Sequence, residues 1–444
     1  MPILGRAPLL LPRPPRIFWG WWVFLGASVG QFVTVGFGLQ VTGVFLEPMS
    51  DSLGWARSQF VLAGSLGFIV GGFAAFFVGP LIDRYGARPL MLVGATIAGL
   101  VFLVTSQVEE LWQFIALRGL VGQIGLLMTG PLVVNVALSK WFVHRRGAVI
   151  SLASVGISLG GILPPILLTR VVDNGGWESG WIVLSAATVL LIYPVALLMR
   201  RQPEDYGLSP DGGTRSDGSQ LSADEARRQA LADQDLLGSY TRAEALRTPA
   251  LWVLIAAVAF GVAAAGSLGV HAIPLLTDAG FSRSEAALLF GTHGSFSLVS
   301  KFAWAWALQR YSVKPLAVLT MSSLALALLL LVTTSEAGSL PPMFPVAALW
   351  GSAVGGFLPI TEFIWASYFG RRHLGAVRST GLPISVIFGG AAPVLAGLYF
   401  DRVGDYRGAF FALALCLLVS ATLMALARRP PPKTPAATAA GRPR

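Results

Sequence analysis

The sequence has a single cysteine, Cys416, in 444 residues. It lies in an apolar run, and one cysteine forms no intrachain disulfide. Histidine is nearly as scarce, with four. No cluster of His, Cys and carboxylate residues has metal-ligand spacing. Charge is thin too: Asp, Glu, Lys and Arg make up 12% of the chain, against about 25% in a typical soluble domain. No G-x-x-x-x-G-K-[ST] cradles a phosphate, so no ATP-hydrolysing domain of that kind is built in. No G-x-S-x-G stands at a strand-to-helix turn. The sequence therefore supports no enzymatic chemistry, names no catalytic residue and calls for no cofactor or metal.

What is present is long apolar runs. Hydrophobic residues make up 54% of the chain. Nothing ionisable lies from Ser58 to Ile82, or from Pro89 to Ser106. Each run has the ~20 residues that a helix needs to cross a bilayer. The pattern predicts an all-α integral membrane protein of twelve spans. A tail (1–16) precedes a six-helix half (17–199). A polar linker (200–249) follows, then a second six-helix half (250–427) and a Pro-rich tail (428–444). Both tails read as disordered. The linker reads as a partly flexible tether with a short amphipathic helix near Asp224 to Leu237, although a regulatory role stays open. Glu47 to Arg57 reads as the first outer loop. Glycines and prolines in the fifth span, among them Gly156, Gly160, Pro164 and Pro165, fit close packing or a gating helix.

The net charge of +10 raises the question of nucleic acid. With both termini inside, 25 of the 32 Lys and Arg fall in tails or inner turns, five fall outside, and Arg118 and Lys301 fall within spans. The positive-inside bias accounts for this and sets the orientation. No nucleic-acid partner is needed. The expected location is the plasma (inner) membrane, multi-pass, with cytoplasmic termini.

Between the second and third apolar runs stands Gly79-Pro80-Leu81-Ile82-Asp83-Arg84-Tyr85-Gly86-Ala87-Arg88. Charges and a glycine cannot face hydrocarbon, so this is a turn at the membrane surface. It has an echo. Leu308 to Pro315 lines up with Ile82 to Pro89 at an offset of 226, and Asp173 lines up with Asp401 at 228. Two segments repeating at nearly one spacing indicate a duplicated half. The shape G-x-x-x-D-R-x-G-x-R resembles the signature loop of the major facilitator superfamily. Gly79, Asp83, Arg84, Gly86 and Arg88 occupy its motif positions, and Ala87 departs from the usual basic residue. The resemblance implies two parallel six-span halves with substrate between them. It also implies that Asp83 sits beside the inner end of the eleventh helix and acts in gating.

An ionisable group inside a span is costly and marks a functional candidate. Arg118 begins Arg118-Gly119-Leu120-Val121-Gly122, which resembles the superfamily's helix-4 pattern. A substrate-binding and a purely structural reading stand side by side. Lys301 lies nine residues before Arg310, about 13 Å from the inner end. His293, Ser297 and Lys301, at i, i+4 and i+8, share a face of the eighth span. Glu362 lies nine residues before Arg371, at a depth like that of Lys301. It is expected to pair with Lys301 or to carry a coupling proton. His271 reads as packing or as a titratable gate.

Gly20-Trp21-Trp22, Leu53 to Gln59 and Trp141 to Ala148 resemble the monocarboxylate-porter and oxalate/formate-exchanger branch. That resemblance implies a small organic anion, monocarboxylate or dicarboxylate, met by the basic residue at Lys301. Movement would be proton symport or anion exchange, by a monomer in the lipid bilayer. The porters carry an acid where Ser297 stands, which weakens the case for their proton mechanism. Proton-coupled efflux of apolar drugs, or a receptor on the same fold that does not transport, are the alternatives.

Overall fold

The computed structural model describes residues 18–212 and 223–431. Expectations for the first tail and for most of the last one lie outside the described residues. Ten helical stretches are long and apolar enough to cross a membrane. One of them, Arg146–Leu198, crosses twice, because the chain reverses at Gly176 (φ 78°). Only glycine takes that backbone conformation without strain. The helix Arg283–Arg310 also has the length to cross, but its four serines with His293 and Lys301 lower its hydropathy. The count is therefore twelve spans. They are Gly20–Leu53, Arg57–Tyr85, Ala87–Thr105, Leu111–Trp141, the two limbs of Arg146–Leu198, Pro249–Asp278, Arg283–Arg310, Val313–Ser335, Met343–Phe369, Leu374–Val403 and Arg407–Leu426. They are numbered spans 1 to 12 below.

The first span runs beyond its expected end. Helix continues through Glu47 and Pro48 to Leu53, and Gly54 (φ 68°) ends it. Glu47 then pairs with Arg57 at 2.9 Å. A π-helical turn, Gly36–Gln40, interrupts this span, and another, Ile115–Val121, interrupts span 4. Such turns release backbone carbonyls and cluster at functional positions.

Within the first half, the span-5 glycines serve packing. A side chain at Gly156 would strike the Ser28 carbonyl, and one at Gly160 would meet the Phe32 carbonyl at 2.6 Å. Large apolar side chains such as Phe77, Leu100, Leu190 and Leu415 stay exposed, as lipid-facing positions do. The core is asymmetric. One buried cluster joins the first half to Leu308, Ile364, Trp365 and Leu374 of the second. The other cluster belongs to the second half alone.

The two halves thus meet on one face, which also carries residues 200–212 and 223–249; it is called the connector side here. The connector itself departs from the tether expectation. It holds the helices Ala223–Leu237 and Arg242–Leu246. The second opens with a capping box, Thr241 and Glu244 satisfying each other's backbone N–H. The connector is also docked on both halves. Asp235 accepts from Arg146 of the first half and lies 3.3 Å from Arg371 of the second. Glu204 accepts from Arg371 at 2.6 Å.

Candidate transport site and connector-side closure

Lys301 sits in span 8 with 4% of its surface exposed. Its ammonium donates to the Ser158 hydroxyl of span 5 at 2.5 Å. About two turns nearer the connector, Ser151 of span 5 donates to the Lys301 carbonyl at 2.8 Å. Side chain and backbone of one residue thus bind the two halves together. Among the described residues no carboxylate pairs with Lys301. A buried ammonium held only by a neutral hydroxyl keeps its electrostatic demand for an anion.

The expected pairing of Lys301 with Glu362 is not formed. Glu362 instead accepts three hydrogen bonds from Arg378, at 2.7, 3.2 and 3.2 Å. The charge count puts only Arg118 and Lys301 within spans, which leaves Arg378 among the inner-turn residues. The helix begins at Leu374, so Arg378 lies in its second turn, buried and pointing at span 10. The signal was available: Arg378 follows Arg371 by seven residues, and Glu362 precedes it by nine. At 1.5 Å per residue their depths differ by only about 3 Å. The Arg378 guanidinium also lies 5.5 Å from the Trp365 ring.

His293 and Ser297 do not surround Lys301. His293 stacks on Trp350 of span 10 with ring centroids 3.8 Å apart, and the Ser297 backbone abuts Gly355 of the same span. That face of span 8 packs on span 10, because Gly351 and Gly355 leave room for close approach. Arg118 stands apart in the first half. It donates to the Gly38 carbonyl at 3.1 Å, inside the span-1 π turn. Its guanidinium lies 5.3 and 5.1 Å from the rings of Phe102 and Trp181, and Nη1 has no partner. His271 is held by the Pro393 carbonyl at 2.9 Å and Tyr406 at 3.3 Å, which is packing geometry.

At the connector side, Asp83 accepts from the backbone N–H groups of Gly375 and Ala376, at 3.2 and 2.8 Å. These are the first N–H groups of span 11, where the helix dipole favours a carboxylate. The buried Lys140 ammonium adds an ion pair at 2.9 Å. Gly79 and Gly375 let spans 2 and 11 touch backbone to backbone; a Cβ at Gly79 would overlap Ser379 Oγ and the Gly375 carbonyl. Gly86 (φ 79°) makes the turn. Arg84 and Arg88 are exposed; Arg84 rests on Tyr85. Three contributors carried no functional assignment in the sequence reading. Arg242 of the connector donates to the Phe76 carbonyl of span 2 and to Ala376 and Ser379 of span 11, at 2.7–2.9 Å. Burial lowers the pKa of this guanidinium and the charge of Asp83 raises it, burial being the larger effect. Ser151 and Ser158 are the others, and a lone serine in a span gives no sequence signal.

Comparison with known proteins agrees with this architecture. The chain is 30% identical to the MFS-type transporter pytF of Aspergillus terreus over 188 residues, which is 42% of this chain and 63% of that protein. It is 26% identical to Monocarboxylate transporter 11 of Mus musculus over 415 residues, 91% of this chain and 86% of that one. The solved structure of the proton:xylose symporter XylE superposes with a TM-score of 0.69 at 12% identity, over 91% of this chain and 95% of that one. The model of the Major Facilitator Superfamily matches residues 27–275 and 265–444, and this chain of twelve helical spans belongs to that family.

Proposed function

We propose that the protein is a secondary active transporter that carries a small organic anion by alternating access, with Lys301 as the receptor of its carboxylate. The observation that carries this reading is the buried Lys301 ammonium with no acidic partner among the described residues, at a place where spans 5 and 8 of opposite halves meet. An arriving carboxylate supplies the missing charge and leaves again when the halves rock. We take the connector side as cytoplasmic from the distribution of Lys and Arg. The conformation described is then closed to the cytoplasm, and the Asp83 cluster is its inner gate. Glu362 enters proton coupling only by exchanging Arg378 for a proton, and among the described residues no acid pairs with Lys301. The geometry therefore favours anion exchange over symport. Monomeric action in the plasma membrane belongs to the same proposal.

A second reading, efflux of apolar compounds, is favoured by an apolar cavity of about 390 Å³ lined by Phe24, Phe32, Leu152, Val155, Leu159 and Phe302. Of its lining residues, Phe302 adjoins Lys301 and Leu159 adjoins Ser158 in sequence. Counterflow of labelled carboxylates in liposomes separates the two. Lys301→Ala is expected to abolish exchange, and Lys301→Arg to retain a part of it, since the two cations differ in shape and hydration. Exchange at the wild-type rate in Lys301→Ala would refute the carboxylate assignment and leave the apolar reading.

A further inference from the structure

On the connector side, away from Lys301, a cavity of about 260 Å³ is lined by His144, Arg145, Asp211, Arg228, Gln309 and Arg310. That is several times the ~30 Å³ of one water in the liquid. Three guanidinium groups and an imidazole face one carboxylate. The Asp211 carboxylate is already committed: it accepts from the backbone N–H groups of Val143, His144 and Arg145 at 2.8–3.1 Å. Asp211 holds a left-handed backbone to do so (φ 59°), a conformation retained where the surroundings enforce it. Two further connector acids serve elsewhere, Glu204 on Arg371 and Asp235 on Arg146 and Arg371. Among the described residues Arg145, Arg228 and Arg310 have no ion-pair partner. Arg310 is held in place 4.8 Å from the Trp306 ring.

Unpaired like charges lining a concavity repel one another unless an anion enters. Planar guanidinium forks suit phosphate oxygens, which they can engage two at a time. The three arginines come from three places: the turn before span 5, the connector helix, and the end of span 8. The cavity is assembled where spans 5 and 8 pack tightly, since a Cβ at Gly147 would meet Leu308 at 2.8 Å. Separating the halves on this side disassembles it.

We propose that this cavity is a binding site for a phosphate-bearing anion, and that its occupancy stabilises the connector-side-closed conformation. The group belongs either to a soluble phosphate or to the headgroup of an anionic lipid at the membrane surface. A ligand that requires both halves together binds one conformation better, and it shifts the population by that difference in affinity.

The test uses the full chain in phosphatidylcholine nanodiscs with Cys416→Ala and a reporter, Ser151→Cys, at a buried position of the closed side. Inorganic phosphate is added at constant ionic strength against chloride. Maleimide modification of the reporter is expected to slow by about fivefold or more, as typical coupling between sites implies. The thermal midpoint of the unmodified protein is expected to rise in parallel. If phosphate is without effect and discs containing phosphatidic acid protect instead, the ligand is a lipid headgroup. Arg228→Gln, on an exposed helix and away from the core, should remove most of the protection, and Arg145→Gln with Arg310→Gln the rest. No protection by either source would overturn the proposal. So would protection that survives loss of all three arginines.

Discussion

Glu362 and Arg378 offer the sharpest test of how the spans are held. Their side chains are 7% and 9% exposed, and they share hydrogen bonds of 2.7, 3.2 and 3.2 Å. Removing one partner of such a pair leaves the other charge buried and uncompensated, at about 3–5 kcal/mol. Glu362→Gln keeps an amide oxygen that accepts from Arg378, so its cost belongs at the lower end, about 3 kcal/mol. Arg378→Met leaves a bare carboxylate and belongs at the upper end. Replacing both residues by Met removes both charges together, which is often neutral or stabilising. The expected order of thermal midpoints is therefore wild type and double variant high, both single variants low. Tryptophan fluorescence and size-exclusion recovery of the detergent-solubilised protein measure it. The ordering is used rather than a fitted free energy, because a two-domain membrane protein does not unfold in one step. Additive single variants would sink the pair. So would a Glu362→Gln protein that melts with wild type but loses its pH-dependent transport, because Glu362 would then be a free proton carrier.

Three further outcomes follow from the connector-side contacts. Asp83→Asn removes the charge at the start of span 11, worth about 0.3–1 kcal/mol and up to ~2 when partly buried, and strips Lys140 of its counter-ion. Modification of a Ser151→Cys reporter should accelerate by roughly tenfold, the factor for 1.4 kcal/mol; an unchanged rate refutes the contact's role. Gly79→Val changes no charge but forces spans 2 and 11 apart, so it should accelerate the same reaction; a wild-type rate would show that close approach is not required. Asp235→Ala strands the buried Arg146 and leaves Arg371 to Glu204 alone, so it should lower the thermal midpoint more than Asp205→Ala, whose partner Arg201 is 40% exposed.

Legibility in the sequence followed burial and local signals. The apolar runs, the turn at Asp83 and the duplicated segments gave the twelve spans, because membrane crossing is written in composition over ~20 residues. Helix ends were less readable. Glu47 looked like loop, yet its helix continues, since an acid at a span end reaches water and Arg57. The partner of Glu362 was missed for a nameable reason. Counting only Arg118 and Lys301 within spans leaves Arg378 at the surface, whereas it lies in the second turn of span 11. Lys301 was singled out by charge alone, and its buried place followed from depth. Its partner, Ser158, was not legible, because a hydroxyl in a span carries no cost that would mark it. The docking of the connector was hidden as well. Its composition is polar and charged, as a tether's would be, and only the partners of Glu204, Asp211, Asp235 and Arg242 distinguish a latch from a leash.

That distinction bears on how the connector side opens. Asp235 lies between Arg146 and Arg371, which belong to opposite halves. When the halves separate, one carboxylate cannot stay with both. The released arginine turns to water, so the cost of opening is the difference between a buried charge contact and a hydrated one. An exposed pair contributes about 0–1 kcal/mol. Arg371 is 1% exposed and Asp235 only 17%, so this contact lies above that range in the closed state and falls into it as water enters. Chain connection adds to this. The connector is tethered at both ends, so its acids return at a high effective concentration. Closure is then fast to re-form, and the rate of opening is set at the arginines rather than at the tether. Lengthening the connector by an insertion within 213–222 should therefore leave opening nearly unchanged, while Asp235→Ala should speed it.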